Sequence, residues 1–215
     1  MKHAILDEQI RDYADEQEQK DMAECSPSCI RILLEQLKKL NGHSRVRALD
    51  VGGGDGRLCL NLLLYEYLCV DLLEPSSKGI EKAKAALASY TRMDQIIKTT
   101  MEDFVFEHEY TAVFMVWVSG YLCNNALATF LKKAKARLDR TAGPSRRKSK
   151  PGSFIFLFDN VLDEGHTREP EKGQRFRTER EFEAIFAEAN LIKYDHSGPK
   201  PMPGNRLNVK LWVLY

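Results

Sequence analysis

Residues 47–58 read RALDVGGGDGRL, with four glycines in five positions directly behind an apolar run. Bare backbone after a strand is where phosphates and cofactors lie. A dinucleotide fingerprint needs G-x-G-x-x-G, so that a pyrophosphate rests on the N-terminus of the next helix. From Gly52 and Gly54 the third position falls on Arg57, and from Gly54 and Gly56 it falls on Cys59. From Gly53 the second position is already Asp55. The pyrophosphate version fails in every register. What fits is D-V-G-x-G-x-G, Asp50 to Gly56, a tighter loop suited to a ligand whose amino-acid portion and sugar lie against backbone without side chains.

Such a ligand needs a carboxylate for its ribose hydroxyls at the end of the second strand, about 20 residues on. Glu74 closes YLCVDLLE and lies 22 residues after Gly52. Asp71 competes, but inside the strand it faces a buried layer or carries a different pairing. Loop and acid together point to S-adenosylmethionine (SAM), with Gly52, Gly54, Gly56 and Glu74 as its binding residues. TTMEDF (99–104) then offers Met101 to an adenine ring and Glu102 or Asp103 to its edge.

These residues need a frame. SPSCIRILLEQLKKLNG predicts a helix capped by Ser26, with Pro27 in its first turn, one apolar stripe (Ile30, Leu33, Leu34, Leu37, Leu40) and an end at Gly42. Residues 4–22 are helix-compatible but mostly polar. Strands are expected at 46–51, 67–73, 95–99, 111–118 and 153–159, alternating with helices after the glycines and over 76–90 and 124–138. Asn124 or Asn125 would cap the last of these. A helix over about 178–189 leads to NLIKYDHS and RLNVKLWVLY, two alternating runs that read as an antiparallel edge pair. The pattern predicts an α/β fold, a seven-stranded, mostly parallel, doubly wound, Rossmann-like sheet with an antiparallel last strand.

With 215 residues the chain suits one domain, residues 1–215, in which 1–44 form an N-terminal helical cap. Thirty-two basic against thirty-one acidic residues give a formal charge of +1, which argues against a global attraction to nucleic acid or anionic membranes. The N-terminus is too acidic for a signal peptide and no apolar stretch approaches a bilayer span, so a soluble protein of the cytoplasm or nucleus is expected. The five cysteines are scattered without nearby histidines, and no metal site is expected. The basic insertion TAGPSRRKSKPG (141–152) lacks interleaved aromatics and reads as a solvated loop.

Beyond the loop, LDVGGGDGR, VFMVWVSGYL, FLKKAKARL and FIFLFDN resemble the motifs L-D-C-G-A-G-I-G-R, I-W-I-Q-W-V-I-G-H-L, F-L-R-R-C-K-x-x-L and I-V-I-K-D-N of the protein α-N-terminal methyltransferases. These are class I, SAM-dependent enzymes acting on the N-terminal amine of X-Pro-Lys or X-Pro-Arg proteins. The likeness covers roughly residues 46–190. It implies that Arg57 pairs the methionine carboxylate of SAM, that Trp117 and Asn160 belong to the substrate side, and that Tyr121 stands where the family has His. Val116 replaces a family Gln that contacts the cofactor. A family catalytic Asp, counted without gaps from Asp159-Asn160, falls on Lys172, and the family's N-terminal substrate lid has no match in residues 1–44.

The expected function is therefore SAM-dependent methylation of a protein N-terminal α-amine, with Asn160, Asp159 and Tyr121 at the reacting end. An α-amine titrates near about 7.7–8.0 against about 10.4 for lysine, so it asks little of a base. Carboxylates on offer after the fifth strand are Asp159, Asp163, Glu164, Glu169 and Glu171, with His166 among them. They also suit a basic peptide. The departures leave two other readings open: a methyltransferase of another acceptor, and a methyltransferase-fold binding protein.

Overall fold

A computed structural model describes residues 16–40, 43–138, 152–166, 173–201 and 207–215, with side chains from residue 26. The basic segment up to residue 151, and Glu169, Glu171 and Lys172, lie outside the described residues. One mixed sheet forms the frame. Its strands are β1 (Arg47–Val51), β2 (Cys69–Leu73), β3 (Met93–Ile97), β4 (Ala112–Val116), β5 (Phe154–Leu162), β6 (Arg177–Thr178), β7 (Lys193–Lys200) and β8 (Asn208–Leu214). Their order is β3-β2-β1-β4-β5-β8-β7, and the two-residue β6 pairs beside β5. Strands β1 to β6 pair in parallel, while β8 runs antiparallel to both β5 and β7.

The seven expected strands are present, and β6 is one more. Two residues, Arg177 and Thr178, are too few to show a period of two, so the alternation carried no trace of it. The edge strand β3 begins at Met93, two residues before the expected start, since only Ile96 and Ile97 in it are strongly apolar.

Both faces of the sheet are covered, as parallel strands require. On one side lie α1 (Glu16–Lys39), α2 (residues 57–66) and α3 (Ser77–Leu87), whose Leu33, Leu37, Leu63, Ala83 and Leu87 pack against Phe114, Phe156 and Val213. The other side holds α4 (Asn124–Ala136) and α5 (Glu179–Glu188), packed through Leu127, Leu131, Phe182 and Ile185 onto Val113, Leu157 and Trp212. Alternate residues of β5 serve the two cores. Phe154, Phe156 and Phe158 face the first, and Ile155, Leu157 and Val161 the second.

Two helix starts differ from expectation. The first helix does not begin at Ser26 but at Glu16, and Pro27 lies inside it. Pro costs that helix one backbone hydrogen bond, and burial of Cys29, Ile32, Leu33, Leu37 and Leu40 offsets the loss. Neither Asn124 nor Asn125 caps α4. Cys123 is its N-cap, without a side-chain bond, because the Asn124 side chain is engaged by Arg177. By contrast, Ser76 caps α3 through the Gly79 N–H, and Thr178 forms a capping box with Glu181 on α5.

Candidate functional site

The sheet reverses its winding between β1 and β4, and the two loops leaving these strands meet there. In such sheets ligands bind beyond the carboxyl ends at this switch point. Gly52, Gly54 and Gly56 have φ of 66°, 56° and 84°, a region that side chains other than glycine's strain to enter. The Gly52 and Gly53 N–H groups donate to the Leu73 carbonyl at 2.7 and 3.0 Å, pinning the loop to the end of β2.

The space left by the missing side chains is used by the protein itself. A Cβ on Gly52 would lie 2.4 Å from Val118 Cγ1, one on Gly53 2.7 Å from Leu72 Cγ, and one on Gly56 2.7 Å from Leu87 Cδ1. In the sequence reading the glycines bare the backbone for a ligand, and the structure adds a second reason for them at Gly52, Gly53 and Gly56. At these three positions glycine lets neighbouring elements close around the loop, and the ligand meets the backbone that results.

Glu74 is buried at the end of β2, where its oxygens accept the Ser76 N–H at 2.8 Å and the Gly54 N–H at 3.0 Å. Each oxygen keeps a second lone pair for a donor such as a ribose hydroxyl. Burial raises its pKa, with the two backbone bonds opposing the shift. Gly79 makes room for this side chain, since a Cβ there would sit 2.9 Å from Glu74 Cγ. Asp71 is committed elsewhere: it is fully buried and binds Arg47 Nη1 at 2.7 Å and the Tyr110 hydroxyl at 2.9 Å.

Asp50 lies beneath the loop, buried, and accepts from Cys59 Sγ at 3.2 Å. Burial pushes its pKa up to about 7. Cys59 opens the π-helical stretch Cys59–Leu63 of α2, a local widening common at functional sites. Arg57, the expected carboxylate partner, binds the Asp55 side chain at 3.0 Å through Nε. Met101 and Glu102 line a cleft of about 270 Å³ beside Asn125, Ala126 and Phe130 at the start of α4.

Val116 ends β4, and Trp117 follows with φ 55°, a left-handed conformation rare for an aromatic residue. Its N–H donates to the Phe158 carbonyl at 2.8 Å, and its ring meets that of Phe158 edge-on at 5.2 Å. The buried Trp117 Nε1 has no hydrogen-bond partner among the described residues. The core Trp212 Nε1 also lacks a partner among the described residues, so it is the left-handed backbone that sets Trp117 apart.

Asn160, two residues after Phe158 on β5, shares the face against which the Trp117 ring packs. Asp159 faces the opposite core. Its Oδ2 accepts the Ser119 N–H at 3.0 Å and the Ser119 hydroxyl at 2.5 Å, and its Oδ1 accepts the Asn160 N–H at 2.7 Å. Buried and accepting three hydrogen bonds, Asp159 ties the β4 loop to β5. Tyr121 is exposed, and its hydroxyl accepts from Gln174 Nε2 at 2.6 Å. Asp163 and Glu164 line a separate cleft of about 350 Å³ with Glu179 and Glu183 of α5.

Asp50 opens the glycine motif in the sequence reading, which missed Gly79, Ser119, Gln174 and Arg177. A glycine early in α3, where helix formers are favoured, was the one local signal among them.

Comparison with known proteins decides the family. The model of the AdoMet-dependent proline di-methyltransferases matches residues 16–215. The chain belongs to this family. It is 26% identical over 192 residues to alpha N-terminal protein methyltransferase 1 of Arabidopsis thaliana, covering 86% of this chain and 66% of the relative. With N-terminal Xaa-Pro-Lys N-methyltransferase 1 of Danio rerio it shares 30% over 120 residues, 55% of this chain and 49% of the relative. A SAM-dependent methyltransferase of Leishmania major superposes with a TM-score of 0.74 at 26% identity, over 86% of this chain and 71% of that one. The chain spans 42–66% of the length of the Arabidopsis, Drosophila melanogaster and rice relatives.

The family's methyl donor is SAM, and the residues here fit it. The glycine loop presents left-handed backbone at the switch point, and Glu74 keeps acceptor capacity at the adjacent strand end. A Cβ on Gly79 would lie 2.9 Å from Glu74 Cγ and 3.3 Å from the Gly54 carbonyl oxygen, so this glycine lets the carboxylate and the loop close on each other.

Proposed function

We propose that this chain methylates the N-terminal α-amine of protein or peptide substrates. The observation supporting this most directly is Trp117: a strained backbone and a buried indole N–H without a partner, on the face shared with Asn160 and next to the glycine loop. A peptide N-terminus offers carbonyl oxygens to such a donor. Family membership and the names of the relatives support the same acceptor.

When bound, SAM supplies an electrophilic methyl group on a sulfonium. Gly52, Gly54, Gly56, Arg57, Glu74, Met101, Glu102 and Val116 are the residues assigned to hold it. The remaining work is alignment and exclusion of water, because an in-line displacement rewards near-attack geometry above all. Trp117 and Asn160 hold the first residues of the acceptor. Tyr121, its oxygen fixed by Gln174, steers the amine. A dedicated strong base is unnecessary: an α-amine with a pKa near about 7.7–8.0 is largely neutral at slightly alkaline pH and yields its proton to solvent.

Incubation of X-Pro-Lys peptides with the protein and SAM, followed by mass spectrometry, tests the reading. Methylated peptide is expected. Unmodified peptide from protein that binds SAM calorimetrically overturns the acceptor assignment.

A further inference from the structure

Arg177 is 2% exposed, on a two-residue strand that no feature of the sequence announced. Its guanidinium is spread over one short stretch of the β4 loop. Nη1 donates to the Ser119 carbonyl at 3.0 Å, Nη2 to the Leu122 carbonyl at 2.5 Å, and Nε to Asn124 Oδ1 at 2.9 Å. These acceptors are the first residue of the 3-10 turn Ser119–Tyr121, its C-cap, and the first residue of α4. One planar fork thus binds both ends of the turn that carries Tyr121.

Neighbouring residues tighten the same grip. The Arg175 N–H donates to the Gly120 carbonyl at 2.8 Å, and a Cβ on Gly120 would lie 2.9 Å from the Arg175 carbonyl oxygen. Gln174 reaches Tyr121, and Asp159 holds Ser119 from β5. Phe182 lies under the guanidinium, 5.8 Å from its ring centre to Cζ. A left-handed Trp117 persists only if its surroundings over-determine it. The stretch immediately after it is fixed on each side.

We propose that Arg177 is the positioning residue of this site, setting the placement of Trp117 and Tyr121 through the Ser119–Asn124 stretch without touching either ring's substrate. The inference rests on the acceptor-side reading of Trp117 and Tyr121 given above. Lysine keeps the charge but has no fork, so it cannot bind Ser119, Leu122 and Asn124 together. Misplacement of aligned groups by about 1 Å costs roughly 100-fold in rate. Arg177 bonds to Ser119, Leu122 and Asn124, none of which is among the residues assigned to hold SAM.

The test uses the full chain labelled with 5-fluorotryptophan. The two tryptophans, Trp117 and Trp212, give two fluorine resonances, assigned with Trp117→Phe. Trp212 is fully buried in the α5-side core and reports the fold, and Trp117 reports the loop. In Arg177→Lys the Trp117 resonance is expected to shift or broaden by more than that of Trp212, which meets the guanidinium through Phe182. kcat on an X-Pro-Lys peptide should fall about 30- to 100-fold, with the SAM Kd within about twofold of wild type. Asn124→Ala, which removes one arm from an exposed position, should move the Trp117 resonance in the same direction by less. Both resonances unmoved with unchanged kcat and KM in Arg177→Lys overturn the inference. So does loss of the Trp212 signal in Arg177→Lys with an unmoved Trp117 in Asn124→Ala, since that assigns the arginine to overall stability. If wild type methylates no peptide yet Trp117 moves more than Trp212, the acceptor assignment fails and the positioning role stands.

Discussion

Asp159 and Asn160 are adjacent in sequence, and the pleat of β5 sends them to opposite faces of the sheet, Asn160 toward the Trp117 side and Asp159 under Ser119. The pair is therefore two devices. Asp159 accepts three hydrogen bonds in a buried setting, so Asp159→Asn leaves an amide N–H₂ facing at least one N–H or O–H donor. A stability loss of about 1–3 kcal/mol is expected. Urea unfolding checks it, and unaltered stability with a total loss of kcat would instead make Asp159 a base.

Trp117→Phe removes the orphaned donor and keeps most of the ring. An unsatisfied buried donor costs about 1–3 kcal/mol, so the free protein should gain up to roughly 1 kcal/mol or stay level while the peptide KM rises about tenfold. Thermal unfolding and peptide kinetics, measured on one preparation, would show the opposite signs. A lower melting temperature with an unchanged KM contradicts the assignment.

Gly52 and Val118 meet where the β1 and β4 loops touch, and Gly52→Ala should cost about 2–4 kcal/mol from its φ of 66° and the 2.4 Å approach to Val118. Adding Val118→Ala should recover the steric part alone. A double-mutant cycle in urea measures that coupling, and strictly additive losses would rule out the contact as its source.

Glu74→Gln removes an acceptor from one of two backbone donors and from the ribose site. Calorimetry should show SAM affinity reduced at least tenfold, since a lost charge-assisted bond is worth about 1.5–3 kcal/mol. Gly79→Ala, pressing on Glu74 Cγ, should weaken SAM in the same direction while the peptide KM at saturating SAM stays put.

Asp50 sets a pH dependence. Its folded pKa is raised to about 7 by burial, against about 3.9 unfolded, so the native state holds the proton more firmly between these values. Its contribution to stability is present in full below about 4 and is lost as pH rises through about 7. Asp50→Asn should flatten that fall, which denaturant titrations between pH 4 and 8 would reveal. Parallel curves for wild type and variant would exclude Asp50 as the source.

Much of this was legible locally. Alternating apolar runs announced the sheet because a parallel strand between two helical layers must be apolar on both faces. The glycine spacing excluded a pyrophosphate, and Glu74 followed from its place at a strand end. The motif glycine of WVSGYL was visible as Gly120, but its reason, the Arg175 carbonyl, was not. Pro27 read as a helix start because local propensity says so, and tertiary burial of the α1 stripe overrode it.

By itself, the sequence determined the layered α/β frame, the spacing of the glycine loop and its acid at the end of the second strand, and the class of cofactor, all of which depend on short-range periodicity and spacing. Tertiary structure alone decided that Glu74 spends one lone pair of each oxygen on the Ser76 and Gly54 N–H groups, that Asp159 is a tether, and that Trp117 is strained beside an unsatisfied N–H. It also decided the role of Arg177, whose bonds span 53 to 58 residues. Hydrogen bonds of that reach leave no periodic trace in the chain, since they depend on which faces two distant elements present after the core has closed.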